Sequence, residues 1–335
     1  MVETGPSTRP TELRRVNPGK KNGSTFAHHS EPKSKDFMGA HLTSFLFILP
    51  AVVIFCTFYV YPFIDIFRLS VLEWNGIDVI KFKEDFVGFQ NFIDLFQDRQ
   101  WWGSLMNAGF ITLVALTFQN ALAFTLALLC DRELRMKNFY IVVFFIPPVL
   151  SEVVVGLVWT WILNAGMQSG EPIGLLNYVL VKTGFPHLVN NWLSDPRTAL
   201  PCISIVHSWK GFGWGFLMFL AGLQTIDRQL YEAAKVDGAG SWKILKNVTL
   251  PAMIPVTLVV VILTILGSMQ SFILIISMTG RSGFVDYTSV PVTEILDSML
   301  DHYFGYACAQ GVAFGIILIA VSLGFKFISD RLKQA

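Results

Sequence analysis

The 335-residue chain is 53% hydrophobic and only 15% charged, with a mean hydropathy of +0.53, which leaves too little polar surface to cover a soluble core of this size. A polytopic membrane protein is the natural reading, and a formal charge of +1 excludes any strong electrostatic case for nucleic acid. Four scattered cysteines (Cys56, Cys130, Cys202, Cys308) without CxxC spacing read as small buried hydrophobes, not as a disulfide or metal frame.

In chain order, residues 1–38 are polar and rich in Pro, Gly, Ser and Lys/Arg, which predicts a disordered basic cytoplasmic tail. The apolar run that follows is too long for a cleaved signal peptide. It also ends in Tyr59-Val60-Tyr61-Pro62, without a small-residue cleavage site. The remaining 39–335 read as an all-α polytopic domain of six transmembrane helices, at about 40–62, 105–130, 139–163, 202–225, 251–279 and 303–328. Pro147, Pro148 and Pro255 predict kinks or helix starts within these spans, not breaks. Gly311 and Gly315 in the last span have the GxxxG spacing of close helix packing, and Gly211-Phe212-Gly213-Trp214-Gly215 reads the same way.

Basic residues fix the orientation. Seventeen Lys and Arg fall in the N-terminal tail, the 131–137 loop, the 228–246 loop and the C-terminus, against seven in the alternate loops. The positive-inside rule then puts both termini and the 228–246 loop in the cytoplasm. The outer loops carry acids such as Asp78, Glu84, Asp85, Asp94 and Asp98. Trp101, Trp102, Trp161 and Trp192 are expected at the outer interface.

The 228–246 loop carries a helix pattern of its own over residues 230–240. Leu230, Ala233, Ala234 and Val236 make a short apolar face; Glu232, Lys235 and Asp237 are polar. Glu232 is expected near the N-terminal turn, and Gly238 and Gly240 as stops. Such a helix has too little apolar surface to stand alone and needs something to dock against.

Within the spans, His207, Lys210, Gly211 and Trp214 follow i, i+3, i+4, i+7 spacing and share one helix face. A Lys inside a span costs about 2.5–3.5 kcal/mol on insertion scales and faces a cavity or a partner. Three readings stay open for Lys210: an ion pair with Glu152 that fixes helix packing, snorkelling outward, or a place with His207 on a translocation path. Nucleotide and dinucleotide fingerprints are missing, as are HExxH, GxSxG and paired intramembrane aspartates; no catalytic or metal residue is assigned.

Glu232-Ala233-Ala234, then Gly238, then Leu250-Pro251 resembles the EAA loop of permease subunits in binding-protein-dependent ABC importers, with Val248 where that family prefers isoleucine. Gly222-Leu223-Gln224-Thr225-Ile226, Asp237-Gly238-Ala239, Trp74-Asn75-Gly76 and Asn91-Phe92 look like its carbohydrate-uptake, maltose-permease-like branch. The resemblance implies the type I ABC importer permease fold, in a bacterial plasma (inner) membrane. The 230–240 helix would seat in a cleft of a cytoplasmic ATPase subunit, with Glu232, Ala233, Ala234, Asp237 and Gly238 as the coupling residues. It further implies a sugar path lined by His207, Lys210, Gly211 and Trp214 before the loop and by Thr264, Gly267, Ser268 and Ser271 after it. Interhelical hydrogen bonding is the competing reading for the small polar residues. A cavity-facing lysine would favour an acidic glycan such as a uronate oligosaccharide.

The partners implied are a second related permease, two ATPase subunits that carry the ATP and Mg, an extracytoplasmic solute-binding protein, the lipid bilayer and the sugar. No cofactor is expected in this chain. The first alternative is a stand-alone secondary transporter for a polar solute, which would need an inverted repeat and more intramembrane acids than Glu152. The second is a membrane-embedded enzyme.

Overall fold

The computed structural model describes residues 34–78, 80, 85–132, 135–168, 171–172, 174–280 and 287–334. Most of the expected tail, together with Lys81, Lys83, Glu84 and Arg281, lies outside the described residues. The chain divides into two compact units, Met1–Phe58 and Tyr59–Ala335. The first contains the helix Ser34–Phe55, so helical backbone begins before the expected end of the tail.

Helix dominates, as the absence of lipid-compatible alternatives dictates. Strand pairing among the described residues is a two-residue antiparallel ladder, Met167–Gln168 with Glu171–Pro172, and an isolated bridge between Leu72 and Phe86. Among the described residues, four helical runs are long and apolar enough to cross a membrane: Phe45–Leu69, Arg99–Asp131, Ser241–Met269 and Phe304–Phe327. The expected fourth span is the 26-residue helix Ala199–Gln224, about 39 Å long at 1.5 Å per residue, whose His, Lys, Ser and Gly content makes it less apolar than those four.

Two expected spans are corrected. The third is broken: Lys137–Val149 and Glu152–Ile162 meet at 94°. Pro147 and Pro148 sit in the last turn of the first half, and Leu150 and Ser151 turn extended after it, because proline supplies no N–H to carry the ladder onward. The fifth starts at Ser241, ten residues early, and ends at Met269. A separate helix, Ile273–Thr279, follows and packs beside Glu152–Ile162. That pairing needs Gly156, where a Cβ would overlap Ser277. Thr160 Oγ1 donates to Met278 O at 3.2 Å across the same contact. Pro255, in contrast, lies inside an unbroken helix.

Without a hydrophobic driving force between helices in lipid, close approach at small residues does the packing. Ala199–Gln224 is the central element for this reason. A Cβ at Gly213 would come within 2.6 Å of Pro148, and one at Gly222 within 2.8 Å of Val256. Ile203 and Val206 join one apolar cluster with Ala108, Val155 and Ile275; Phe216, Phe219 and Leu223 join another with Ala123, Ala127 and Met253. Gly311 and Gly315 do not make the expected close packing within this chain, since nothing lies within 4 Å of a Cβ at either. Trp101 is also corrected: it is buried with Leu95, Ile265 and Met269, while Trp102 and Trp161 are exposed. Trp192 is half-buried, its indole N–H donating to Asn177 Oδ1 at 2.7 Å.

The Trp74-Asn75-Gly76 segment is a turn built by its own side chains. Asn75 Oδ1 accepts from the N–H groups of Ile77 and Asp78, and Gly76 takes φ +80° against the Phe304 ring. Asn91 Nδ2 donates to Ser70 O and Leu72 O, holding this turn on the following helix Gln90–Gln97.

Candidate functional site

A cavity of about 330 Å³ opens along one face of Ala199–Gln224. His207, Lys210, Gly211 and Trp214, the four residues on the predicted face, all line it, as do Gly215 and Met218 one turn further on. Thr264, Gly267 and Ser268 of Ser241–Met269 form the facing wall with Val260 and Leu263. Ser271 does not line it. The helix ends at Met269, and Ser271 is buried in the break that follows.

Thr264 and Ser268 make the interhelical hydrogen bonds of one expectation and also line the cavity. Thr264 Oγ1 donates to Asn120 Oδ1 at 3.1 Å, and Ser268 Oγ lies 2.9 Å from Thr112 Oγ1, so both tie their helix to Arg99–Asp131 while lining the cavity. Gly267 presents open space: nothing lies within 4 Å of a Cβ built there. Trp214 is exposed, with Phe145 edge-on at 5.3 Å, leaving an indole face available for stacking.

Lys210 is paired. Its Nζ lies 3.5 Å from Glu152 Oε1, and Glu152 also lines the cavity. The carboxylate belongs to the first turn of Glu152–Ile162, where the helix dipole favours negative charge. The 94° break is what brings it there. The pair makes this wall electrically balanced but not closed, since an ammonium has three donors.

Gln119 is a wall residue that the sequence reading missed. It ends the π-helical turn Ala115–Gln119, where the Arg99–Asp131 run takes up one extra residue per turn. A polar pair, Gln119-Asn120, inside an otherwise apolar span was the available signal. Among the described residues no group of three or more His, Cys, Asp or Glu could hold a metal ion.

Between the two cavity-lining helices runs the helix Arg228–Val236. It starts earlier than expected: Asp227 caps it by accepting from Gln229 N–H, and Glu232 sits mid-helix, not in the first turn. Gly238 stops it at φ +73°. Ala239 N–H returns to Ala234 O and Gly238 N–H to Lys235 O, a Schellman closure that a residue with a Cβ adopts only under strain. Gly240 has an ordinary φ of −71° and serves as the N-cap of the next helix. No residue of Arg228–Val236 is buried. Glu232, Ala233, Asp237 and Gly238 are exposed, Ala234 is half-buried, and the apolar Leu230 and Val236 are uncovered. A hydrogen bond between Tyr231 Oη and Thr249 Oγ1 at 3.2 Å ties it to Ser241–Met269.

The family described as "Binding-protein-dependent transport system inner membrane component" matches residues 132–335. The chain is 30% identical to the diacetylchitobiose uptake system permease protein NgcF of Streptomyces coelicolor, over 99% of this chain and 92% of that one. It is 28% identical to the arabinooligosaccharides transport system permease protein AraP of Bacillus subtilis, over 89% and 91%. Its fold is similar to a chain of the bacterial alginate ABC transporter crystallised with an alginate pentasaccharide-bound periplasmic protein. There the TM-score is 0.73 at 25% identity, covering 91% of this chain and 99% of that one.

Proposed function

The chain belongs to the family of binding-protein-dependent transport system inner membrane components, and on that premise we propose that it is a permease subunit of an ABC importer for a sugar or oligosaccharide. The observation that carries this reading is the order of parts. An uncovered amphipathic helix joins, through Thr225–Asp227 on one side and 237–240 on the other, the two helices that wall the cavity. A push on Arg228–Val236 is therefore delivered to both walls through only a few residues.

In this reading Glu232, Ala233, Ala234, Asp237 and Gly238 couple the chain to one of two ATPase subunits, which supply the ATP and Mg chemistry. This chain catalyses nothing. A second, related permease completes the path, and an extracytoplasmic binding protein delivers the saccharide. Residues 39–335 form the permease domain in a bacterial plasma membrane, with six crossings and both termini cytoplasmic. The saccharide lies against Trp214, with hydroxyls toward His207, Thr264 and Ser268, in a cavity within the roughly 300–1,000 Å³ range of small-molecule sites.

Lys210 favours a finer reading, an acidic glycan such as a uronate oligosaccharide. Glu152 engages its ammonium at 3.5 Å, the outer limit of a hydrogen bond, and a substrate carboxylate is the natural competitor. A stand-alone secondary transporter fits less well, because Glu152, the one acid lining the cavity among the described residues, is already paired with a cation.

The test is uptake by the complete assembly in proteoliposomes, offered its binding protein and labelled N,N′-diacetylchitobiose, arabinotriose or alginate trisaccharide. Uptake of at least one, dependent on ATP at the ATPase face, is expected. Accumulation driven by an ion gradient without ATP would refute the proposal.

A further inference from the structure

Gln119 is nine-tenths buried, lines the cavity, and its Oε1 has no hydrogen-bond partner. Leaving a buried acceptor unmet is costly, and the surroundings make that cost avoidable. A leucine of similar size would fill the same volume without it. The local structure instead works to admit the amide. The π-helical turn Ala115–Gln119 sets its register, and the facing position is a glycine. A Cβ on Gly211 would come within 2.6 Å of Gln119 Oε1, 2.8 Å of its Cδ and 2.9 Å of its Nε2, so no other residue at 211 leaves the amide where it is. The neighbouring amide has a different fate: Asn120 Oδ1 accepts from Thr264 Oγ1 and holds the wall together.

Resting on the saccharide reading above, we propose that Gln119 is a specificity-determining residue of the transport path, whose Oε1 accepts a hydrogen bond from a hydroxyl or amide N–H of the bound saccharide. Gly211 is then a positioning residue, required so that the Gln119 amide lies at the cavity wall. The site is thus built from three helices, with Arg99–Asp131 supplying an amide acceptor beside the Thr264 and Ser268 hydroxyls. An acceptor fixed at one point in the wall distinguishes a sugar with a donor there from its deoxy or O-methyl analogue. The expected discrimination is tenfold or more, since a site that hydrogen-bonds a substrate group rejects the analogue lacking it.

The experiment uses the full assembly trapped with ATP and vanadate, and measures retention of whichever of the three labelled saccharides the unaltered assembly transports. Gln119→Leu is expected to weaken retention about tenfold and leave the thermal midpoint unchanged or raised, because the orphaned acceptor is gone. Gln119→Glu, which keeps an acceptor at the same reach, is expected to retain the sugar within about threefold of the unaltered assembly. Retention by Gln119→Leu equal to the unaltered assembly overturns the proposal. So does a lowered midpoint with unchanged retention, which marks a purely structural amide. If the unaltered assembly transports none of the three, it is the saccharide reading that fails, a result distinct from either.

Discussion

Lys210 Nζ and Glu152 Oε1 lie 3.5 Å apart and join Ala199–Gln224 to the second half of a span that bends by 94°. Lys210 retains 16% of its side-chain exposure and Glu152 36%, so the pair is neither a surface bridge nor a dry one. Its worth lies between the about 0–1 kcal/mol of exposed pairs and the roughly 3–5 kcal/mol cost of breaking a buried one. Lys210→Met and Glu152→Gln should each lower the thermal midpoint, and the double variant should recover part of the loss. Strict additivity in that cycle would show the two groups to be uncoupled. In uptake, Lys210→Met should reduce an acidic glycan more than a neutral one; unchanged alginate-oligosaccharide uptake would count against the acidic reading.

Gly238 and Gly240 give a matched pair of tests, because φ is +73° at the first and ordinary at the second. Gly238→Ala should cost about 1–2 kcal/mol of local helix closure and depress transport-coupled ATPase activity severalfold. Gly240→Ala, with nothing within 4 Å of the new Cβ, should leave both unchanged. Equal effects at the two positions would mean that the Schellman closure does not matter.

Glycine also separates cavity from packing. A methyl at Gly267 enters open space in the cavity, whereas one at Gly213 runs into Phe144 O at 2.5 Å and Pro148 at 2.6 Å. Gly267→Ala should reduce saccharide retention with little change in thermal midpoint. Gly213→Ala should lower the midpoint, by an overpacking cost of about 1–3 kcal/mol. Thermal melts and retention assays on both variants check the crossover.

What the sequence made legible follows from local rules. The Arg228–Val236 helix shows its apolar face and its Gly238 stop in consecutive residues, and the face shared by His207, Lys210, Gly211 and Trp214 follows from helical spacing alone. What stayed hidden depends on where helices fail. Pro147-Pro148 are compatible with either a mild kink or a full turn, and only the packing of Glu152–Ile162 against Ile273–Thr279 selects the turn. Ser271 was misplaced because the helix break at residues 270–272 carries no Pro or Gly. Gln119 escaped because a π-helical turn shifts the face it presents, which a 3.6-residue period does not register.

Glu294 supplies a pH dependence. It is buried in the helix Pro291–Leu300, which lies between the candidate spans Ser241–Met269 and Phe304–Phe327, and accepts from Gln100 Nε2 at 3.2 Å. Burial pushes its carboxyl up; the Gln100 bond opposes the shift, and the Asp98 and Asp297 carboxylates add to it. With the folded value above the unfolded one, the folded state holds the proton more tightly. The contribution is therefore full below the ordinary carboxyl range and is lost as pH rises through the raised value. The thermal midpoint should fall as pH rises above the ordinary carboxyl range, and Glu294→Gln should flatten that slope. A slope unchanged in the variant would assign it to other groups.

If Arg228–Val236 receives force from an ATPase subunit, as proposed, its uncovered end is where contact can be probed. Val236 is 87% exposed, so a cysteine there is open to a cleavable cross-linker. In the assembled transporter Val236→Cys should link to an ATPase subunit from the cytoplasmic side, uptake should stop, and reducing the linker should restore it. Labelling of that cysteine from the outer face, or cross-links that never include an ATPase subunit, would contradict the account.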